Sequence, residues 1–210
     1  MENAPTNFSG SASYWEQRYR GGGDSGAGSY GRLADFKAEI LNRFVASHTV
    51  ESVIEFGSGD GNQLSLARYP SYIGLDVSAS AIQMCKKRFA EDSSKSFFLY
   101  QPDCFVDRQG IFASDLAMSL DVIYHLVEDR IFDMYTRHLF GAGRRFVAVY
   151  STNEDSSTGD AHVKHRQFTR WVEQNAPAWR LLERVPNRYP FHPDQIGESS
   201  NADFFFFAQR

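Results

Sequence analysis

The sequence has little cysteine, no excess of positive charge and no long apolar run. Its 210 residues include two cysteines, Cys85 and Cys104, too few for a disulfide framework or a four-cysteine zinc site. With 26 acidic and 22 basic side chains, the formal charge is −4 and gives no general attraction to nucleic acid or anionic lipid. The apolar run at 204–208 is far shorter than the roughly 18 residues that span a bilayer. Residues 1–10 lack the basic and apolar stretches of a secretory signal. We therefore expect a soluble, cytoplasmic protein with no nucleic-acid or membrane partner, whose oligomeric state the sequence does not indicate.

The central part of the chain alternates between two hydrophobic periodicities. Apolar residues follow helical spacing from Leu33 to Val45, where charged side chains such as Lys37 are expected away from the apolar stripe. Short apolar segments then alternate with amphipathic helices, which predicts a doubly wound α/β fold with a parallel sheet. Two late segments without a helix between them favour antiparallel pairing. The predicted strands are 52–56, 72–75, 97–100, 116–120, 146–150, 179–185 and 203–209.

An aromatic cluster and a glycine-rich segment precede this region. Tyr14, Trp15 and Tyr19 lie within six residues, and glycine and serine dominate 21–31. The cluster is either a short helix over a core edge or a lid whose glycine-rich hinge lets it close over a ligand. We favour the lid and divide the chain into an N-terminal extension, 1–32, and an α/β domain, 33–210.

A glycine-rich turn follows the first predicted strand. Gly57, Gly59 and Gly61 alternate there, at the carboxyl end of the strand, where open α/β sheets bind ligands. Asp76 closes the second strand 19 residues after Gly57, where a carboxylate can accept hydrogen bonds from both ribose hydroxyls of an adenosine. The alternatives are a purely structural turn, and an Asp76 that helps to cap the following helix.

The spacing around this turn differs from that of dinucleotide sites. Those sites use G-x-G-x-x-G to hold a pyrophosphate, whereas here Asn62 stands at the third glycine of that pattern. Glu55, two residues before Gly57, suits a ligand that bears a cation. In these motifs the sequence resembles the class I S-adenosylmethionine-dependent methyltransferases, whose first motif is an acid, one residue and G-x-G-x-G, and whose second is an acid ending strand two.

The resemblance covers residues 50 to 150 and implies S-adenosyl-L-methionine as the cofactor. It implies a seven-stranded, mostly parallel Rossmann-like sheet in the order 3-2-1-4-5-7-6, with an antiparallel C-terminal strand, and makes 33–210 a methyltransferase domain. It also implies an adenine-binding acid after strand three, here Asp103 unless that is a surface loop acid, with Phe105 lining the adenine face. The predicted cofactor-binding residues are Glu55, Gly57, Ser58, Gly59, Gly61, Asp76, Val77, Asp103, Cys104, Phe105, Leu120, Tyr14, Trp15 and Arg18.

The segment after the fourth predicted strand supplies the catalytic candidates. In the family this strand ends near the transferred methyl group, and here His125 follows it. Histidine titrates near neutrality and could take the proton of a hydroxyl nucleophile, with Tyr124 and Asp121 orienting the substrate. The alternative is that His125 makes a structural hydrogen bond at a helix start.

A cationic cluster follows the fifth predicted strand and belongs to the same edge of the sheet. His162, His165 and Arg166 would bind a polar or anionic substrate such as a sugar, carboxylate or phosphate. Alternatives are a solvated basic helix start, and a metal held by the two histidines with Asp121 or Asp160. We predict no metal, since His-x-x-His alone specifies one poorly.

These observations predict methyl transfer to an oxygen or nitrogen of a small polar molecule, such as a sugar or a biosynthetic intermediate. One alternative is a methyltransferase acting on RNA or protein, and the acidic composition argues against RNA. Another is a non-catalytic nucleotide- or partner-binding module on the same fold. The presence of both the glycine motif and Asp76 argues against that module.

Overall fold

The computed structural model describes residues 8, 10–156 and 160–210. Residues 1–7 and 9, which the sequence analysis assigned to the N-terminal extension and compared with a secretory signal, lie outside the described residues. The helices are α1 (Ser11–Arg20), α2 (Gly31–Ser47), α3 (Ala79–Arg88), α4 (Asp129–Ala142) and α5 (Phe168–Asn175). The strands are β1 (Val53–Phe56), β2 (Tyr72–Asp76), β3 (Lys95–Leu99), β4 (Ser114–Leu120), β5 (Gly143–Ser151), β6 (Trp179–Val185) and β7 (Asp203–Gln209).

The strands form one sheet in the order β3-β2-β1-β4-β5-β7-β6. β1 to β5 pair in parallel, and β7 runs antiparallel to both β5 and β6. The predicted α/β class, strand order and antiparallel C-terminal strand are therefore confirmed. The third strand begins two residues earlier than predicted, because its pairing with β2 starts at Tyr72 and Lys95.

Hydrophobic clusters cover both faces of the sheet. α4 and α5 pack on one face and α2 packs on the other. In β7, Phe204 and Phe206 point to the α2 side, Phe205 and Phe207 point to the α4 side, and all four are at most 4% exposed. This alternation explains a run of four phenylalanines in a strand that is buried on both faces.

One expectation about α2 is wrong. Lys37, expected off the apolar stripe, is completely buried. It lies four residues after Leu33 and four before Leu41, so its position belongs to the buried face although its residue type does not. A buried ammonium group requires hydrogen-bond partners, and the Lys37 ammonium has its partner at the carboxyl edge of the sheet.

Two of the crossovers between parallel strands contain a short 3-10 turn and no α-helix in their described residues, with Gln63–Leu66 after β1 and Pro102–Cys104 after β3. α2, which precedes β1, already covers the face on which a helix after β1 would lie. Among the described residues, no helix combines the length and apolarity needed to cross a membrane.

Candidate functional site

A cavity of about 570 Å³ opens at the carboxyl ends of β1, β2 and β4. Its walls come from the loops after β1 to β4, and α1 and α2 complete them. Of the residues predicted to bind cofactor or substrate or to act in catalysis, those that line the cavity are Trp15, Glu55, Gly57, Ser58, Gly59, Asp76, Val77, Asp103, Cys104, Leu120, Asp121 and His125. The fold thus brings most of the predicted cofactor site together.

The glycine turn adopts a backbone that favours glycine at every alternate position. Gly57, Gly59 and Gly61 have φ angles of 88°, 57° and 76°, in the left-handed region. A Cβ on Gly57 would collide with Val122, and one on Gly59 would collide with Ser25. The glycines therefore allow the β4 loop and the N-terminal segment to close onto the turn. Gly61 is not among the described lining residues of the cavity.

Asp76 is buried at the end of β2 and faces the cavity. Its Oδ2 accepts a hydrogen bond from the Gly59 N–H at 2.9 Å, and its Oδ1 accepts one from the Ser78 N–H at 2.8 Å. Burial raises the pKa of Asp76 to about 6. A carboxylate has about four lone-pair sites, so Asp76 can still accept hydrogen bonds from a ligand.

Glu55 lies on β1 beneath the glycine turn and is 4% exposed. The Tyr72 hydroxyl donates to its Oε2 at 2.6 Å. Burial raises the pKa of Glu55 to about 7, although the nearby Lys37 opposes this shift. A cationic ligand in the cavity would favour the ionised form of Glu55.

Helix α1 forms a roof over the cavity. At its start, the Ser11 hydroxyl donates to Glu128 at 2.6 Å. In its middle, Glu16 accepts hydrogen bonds from the hydroxyl groups of Ser78 at 2.7 Å and Ser80 at 2.8 Å, at the N-terminus of α3. Trp15 lines the cavity between these two attachments. The helix therefore bridges the first turns of α4 and α3.

The glycine-rich segment after α1 is attached to the turn after β1. Asp60 Oδ2 accepts hydrogen bonds from the Ser25 N–H at 2.9 Å and from the Tyr30 hydroxyl at 2.8 Å. The Asn62 side chain donates to the Ser29 carbonyl at 2.8 Å. These contacts hold the segment that joins α1 to α2 against the glycine turn.

Four of the predicted cofactor-contacting residues have partners outside the cavity or on its rim. The Tyr14 ring stacks on His162 with centroids 4.6 Å apart, and Arg18 donates to the Asp24 carbonyl at 2.7 Å. Phe105 packs edge-on against Phe56 and Tyr100 in the core. Asp103 lines the cavity and forms an ion pair with Arg130. Tyr14, Arg18 and Phe105 are not among the described lining residues.

His125 is held in one neutral tautomer. Its Nδ1 lies 3.1 Å from the carbonyl oxygen of His162, and a carbonyl only accepts, so Nδ1 carries the hydrogen. Nε2 is left as a hydrogen-bond acceptor. Burial lowers the pKa of His125 to about 4, so the ring is neutral near pH 7. The Trp15 ring meets it edge-on at a centroid distance of 4.9 Å.

Asp121 follows β4 in the left-handed conformation, with φ of 59°. Lys37 Nζ donates to its Oδ2 at 2.6 Å, and the Tyr124 hydroxyl donates to its Oδ1 at 2.9 Å. Non-glycine residues seldom adopt this φ, and such strain is common at functional sites. Tyr124 contacts Asp121 but is not among the described residues that line the cavity.

Three solved structures illustrate how this architecture compares with known proteins. The N-methyltransferase NodS from Bradyrhizobium japonicum WM9, in complex with S-adenosylhomocysteine, has a TM-score of 0.66 and 16% identity, over 84% of this chain and 87% of that one. Magnesium protoporphyrin IX methyltransferase (ChlM) from Synechocystis PCC 6803, with bound S-adenosylmethionine, has a TM-score of 0.66 and 12% identity over the whole of both chains. The methyltransferase domain of the bacterial CtHen1-C has a TM-score of 0.63 and 20% identity, over 82% of this chain and 96% of that one.

This chain has the class I S-adenosylmethionine-dependent methyltransferase fold. No family model matches its sequence, and no curated protein matches it either. The identities are all too low to carry residue roles across, so the geometry of this chain's own site must support them.

In this methyltransferase fold, the cationic cluster after β5 supports the loop that carries His125. The Arg166 guanidinium donates to the carbonyls of Leu126 at 2.7 Å and Val127 at 2.9 Å and pairs with Asp129 at 2.7 Å. His165 shares a hydrogen bond with the Thr152 hydroxyl at 2.7 Å. His162, His165 and Arg166 are not among the described lining residues, and the described residues contain no group of three metal-ligating side chains.

Lys37 and Gln63 are among the polar residues of the cavity wall that sequence reasoning missed. Lys37 reaches it from α2, and Gln63 reaches it from the turn after β1. The spacing of Lys37 from Leu33 and Leu41 is a signal that could have identified it. Gln63 directly follows the glycine motif, but its neighbour Leu64 is buried too, so no periodicity distinguishes it.

Proposed function

We propose that this protein is an S-adenosylmethionine-dependent methyltransferase that methylates an oxygen or nitrogen of a small polar molecule. The observation that carries the proposal is one continuous cavity that contains Glu55, Asp76 and His125. Two buried carboxyl groups and a neutral imidazole thus face the same ligand space. The division into a lid, 1–32, and a methyltransferase domain, 33–210, and the cytoplasmic location are further predictions.

The wall of the cavity fits the parts of this cofactor. Asp76 would accept from the ribose hydroxyls, and the segment after β3, with Asp103 and Cys104, would border the adenine. Glu55 and the glycine turn would border the amino-acid tail. The buried Ser58 Oγ and Gln63 Oε1 have no hydrogen-bond partner among the described residues, which suits a ligand with polar groups. When bound, S-adenosylmethionine supplies an electrophilic methyl group on a sulfonium.

The chain's own contribution is to orient the acceptor, receive a proton and exclude water. His125 presents Nε2 as a proton acceptor, because its Nδ1 hydrogen is committed to the His162 carbonyl. Arg166 holds the backbone on both sides of Leu126 and so fixes the position of this imidazole. Trp15 and the rest of α1 separate the cavity from solvent.

The size and charge of the site support a small acceptor. Helix α1, the roof, is attached at its start to Glu128 and in its middle to Ser78 and Ser80, which leaves limited room for a macromolecule. The net charge of −4 also disfavours RNA. The predicted anion-binding role of Arg166 has less support, because its donors are used within the protein.

Calorimetry with S-adenosylmethionine and with NAD tests the cofactor. We expect binding of the first alone, and binding of NAD alone would refute the proposal. Transfer of radiolabelled methyl groups from the cofactor should then be followed into the small-molecule, RNA and protein fractions of a cell extract. We expect label in the small molecules, less of it with His125→Ala, and an unchanged amount with the surface control Glu91→Gln. Label confined to RNA or protein would favour the alternative acceptors.

A further inference from the structure

One side of α1 is turned toward His125. Ser11, Tyr14 and Trp15 are spaced three and four residues apart, so they lie on the same side of this helix. The Ser11 hydroxyl is within hydrogen-bond distance of the His125 backbone carbonyl, at 2.7 Å. The Trp15 ring meets the His125 ring edge-on, with centroids 4.9 Å apart. The roof of the cavity therefore contacts both the backbone and the side chain of the proposed base.

Tyr14 reaches the same imidazole through a second histidine. Its ring stacks on the His162 ring with centroids 4.6 Å apart and an interplanar angle of 13°. The His162 ring in turn lies parallel to the His125 ring, at 5.6 Å and 9°. Tyr14 also meets Trp15 edge-on at 5.5 Å. Two neighbouring residues of α1 thus contact two histidines that come from the loops after β4 and β5.

His162 uses two different groups in this arrangement. Its backbone carbonyl accepts the Nδ1 hydrogen of His125 at 3.1 Å, whereas its ring packs on Tyr14. The described residues 160–167 form no helix or strand, so contacts with other segments must fix the position of that carbonyl. The N–H of Lys164 provides one by donating to a carbonyl of the loop after β4 at 2.8 Å. The stack on Tyr14 provides another, and it acts on residue 162 itself.

We propose that Tyr14 is a positioning residue for His125, and that the docking of α1 completes the proposed base. With α1 in place, Tyr14 holds His162, the His162 carbonyl takes the Nδ1 hydrogen, and Nε2 of His125 can accept a proton. A neutral imidazole carries its hydrogen on the nitrogen that has an acceptor. Without the stack the carbonyl is no longer held, and the imidazole divides between two tautomers, of which the Nε2–H form cannot accept at Nε2.

This inference rests on the proposed function, in which His125 receives the proton of the acceptor molecule. It gives the roof a part in the chemistry in addition to the exclusion of water. Tyr14 is not among the described residues that line the cavity, so it acts through His162 and not on the cofactor. Its loss should therefore reduce the rate of methyl transfer and leave cofactor affinity unchanged.

Nitrogen NMR of the protein labelled in its histidines reads the tautomer directly at pH 7.5. The spectrum of His125→Gln identifies the His125 signals among the six histidines. We expect hydrogen on Nδ1 alone in the wild-type protein and both tautomers in Tyr14→Leu. Tyr14→Phe keeps the stacked ring and should restore the single tautomer. Gln17→Leu, on the exposed side of the same helix, is the matched control and should give the wild-type spectrum.

His162→Leu removes the same stack from the other side and keeps the backbone carbonyl, so it provides a second test if Tyr14→Leu does not fold. Calorimetry with S-adenosylhomocysteine should give both variants affinities within about twofold of wild type. Methyl transfer to the small-molecule fraction of a cell extract, at saturating S-adenosylmethionine, should fall by about tenfold in both.

Hydrogen on Nδ1 alone in both leucine variants, or a wild-type rate of methyl transfer in both, would overturn the positioning role of Tyr14. Neither result would affect the proposed function. If the wild-type protein transfers no methyl group from S-adenosylmethionine, the proposed function fails instead, whatever the tautomer of His125.

Discussion

Replacing Glu55 by glutamine should change how stability depends on pH. Glu55 is buried beneath the glycine turn, and burial raises its pKa from the ordinary value near 4.5 to about 7. The unfolded chain therefore ionises Glu55 more readily than the folded protein does. Stability from this group is fully present below about pH 4.5 and is lost as the pH rises through 7.

The magnitude follows from the two pKa values. Linkage predicts that ionisation of Glu55 lowers the free energy of unfolding by about 1 kcal/mol at pH 5 and by about 3 kcal/mol at pH 8. The glutamine side chain in Glu55→Gln cannot titrate but keeps an acceptor oxygen for the Tyr72 hydroxyl. Between these two pH values the wild-type protein should therefore lose about 2 to 3 kcal/mol relative to Glu55→Gln.

Urea unfolding of both proteins at pH 5 and pH 8 measures this difference directly. Titrating groups that do not interact with Glu55 cancel in the comparison, and the exposed Glu91→Gln variant provides the matched control. If the free energies of unfolding of Glu55→Gln and wild type differ by the same amount at both pH values, the assigned burial and pKa of Glu55 are refuted.

Three further predictions concern the cofactor cavity. Asp76→Asn should weaken S-adenosylhomocysteine binding by about 1–3 kcal/mol, because the ribose hydroxyls donate to the ionised carboxylate. For the same reason, the affinity of the wild-type protein should fall as the pH drops through about 6, the pKa of Asp76. Calorimetry that shows neither effect would contradict the assignment of Asp76 to the ribose. Nitrogen NMR should find His125 neutral with hydrogen on Nδ1 from pH 5.5 to 8, whereas a transition near 6.5 would contradict its burial. Glu16→Gln should weaken the attachment of α1 to two serines at the start of α3. We therefore expect amide hydrogen exchange in α1 and release of S-adenosylhomocysteine to become about three- to tenfold faster. Unchanged rates would argue against α1 acting as a lid.

The strands and the glycine motif after β1 were predictable because their signals are local. Seven apolar segments with the correct period located the strands, and the bounds of β6 and β7 agree with the prediction. Gly57 and Gly59 were identifiable because a sharp turn needs left-handed backbone, which glycine adopts readily. Once strands one and two are parallel neighbours, Asp76 must lie at the same edge as the turn.

The roles of the N-terminal segment and of the cluster after β5 were not predictable in detail. The aromatic cluster indicated a lid, but the contacts of Glu16 with α3 join residues more than 60 positions apart. Arg166 was expected to hold substrate, and the structure directs its donors to backbone carbonyls on the loop after β4. Such pairings depend on how distant loops meet, which no local spacing encodes.

The sequence by itself determined the fold class and the edge of the sheet where ligands would bind, because hydrophobic period and glycine spacing act over a few residues. The strand order was implied by the resemblance to the methyltransferase family, and the structure confirms it. Tertiary structure alone decided which polar side chains face that edge. Lys37 became a cavity residue because α2 packs across β1 and delivers it to Asp121, and Gln63 was left with an unpaired oxygen because Ala34 fixes its amide. Both depend on the position of one helix relative to the sheet, which is set by the whole core.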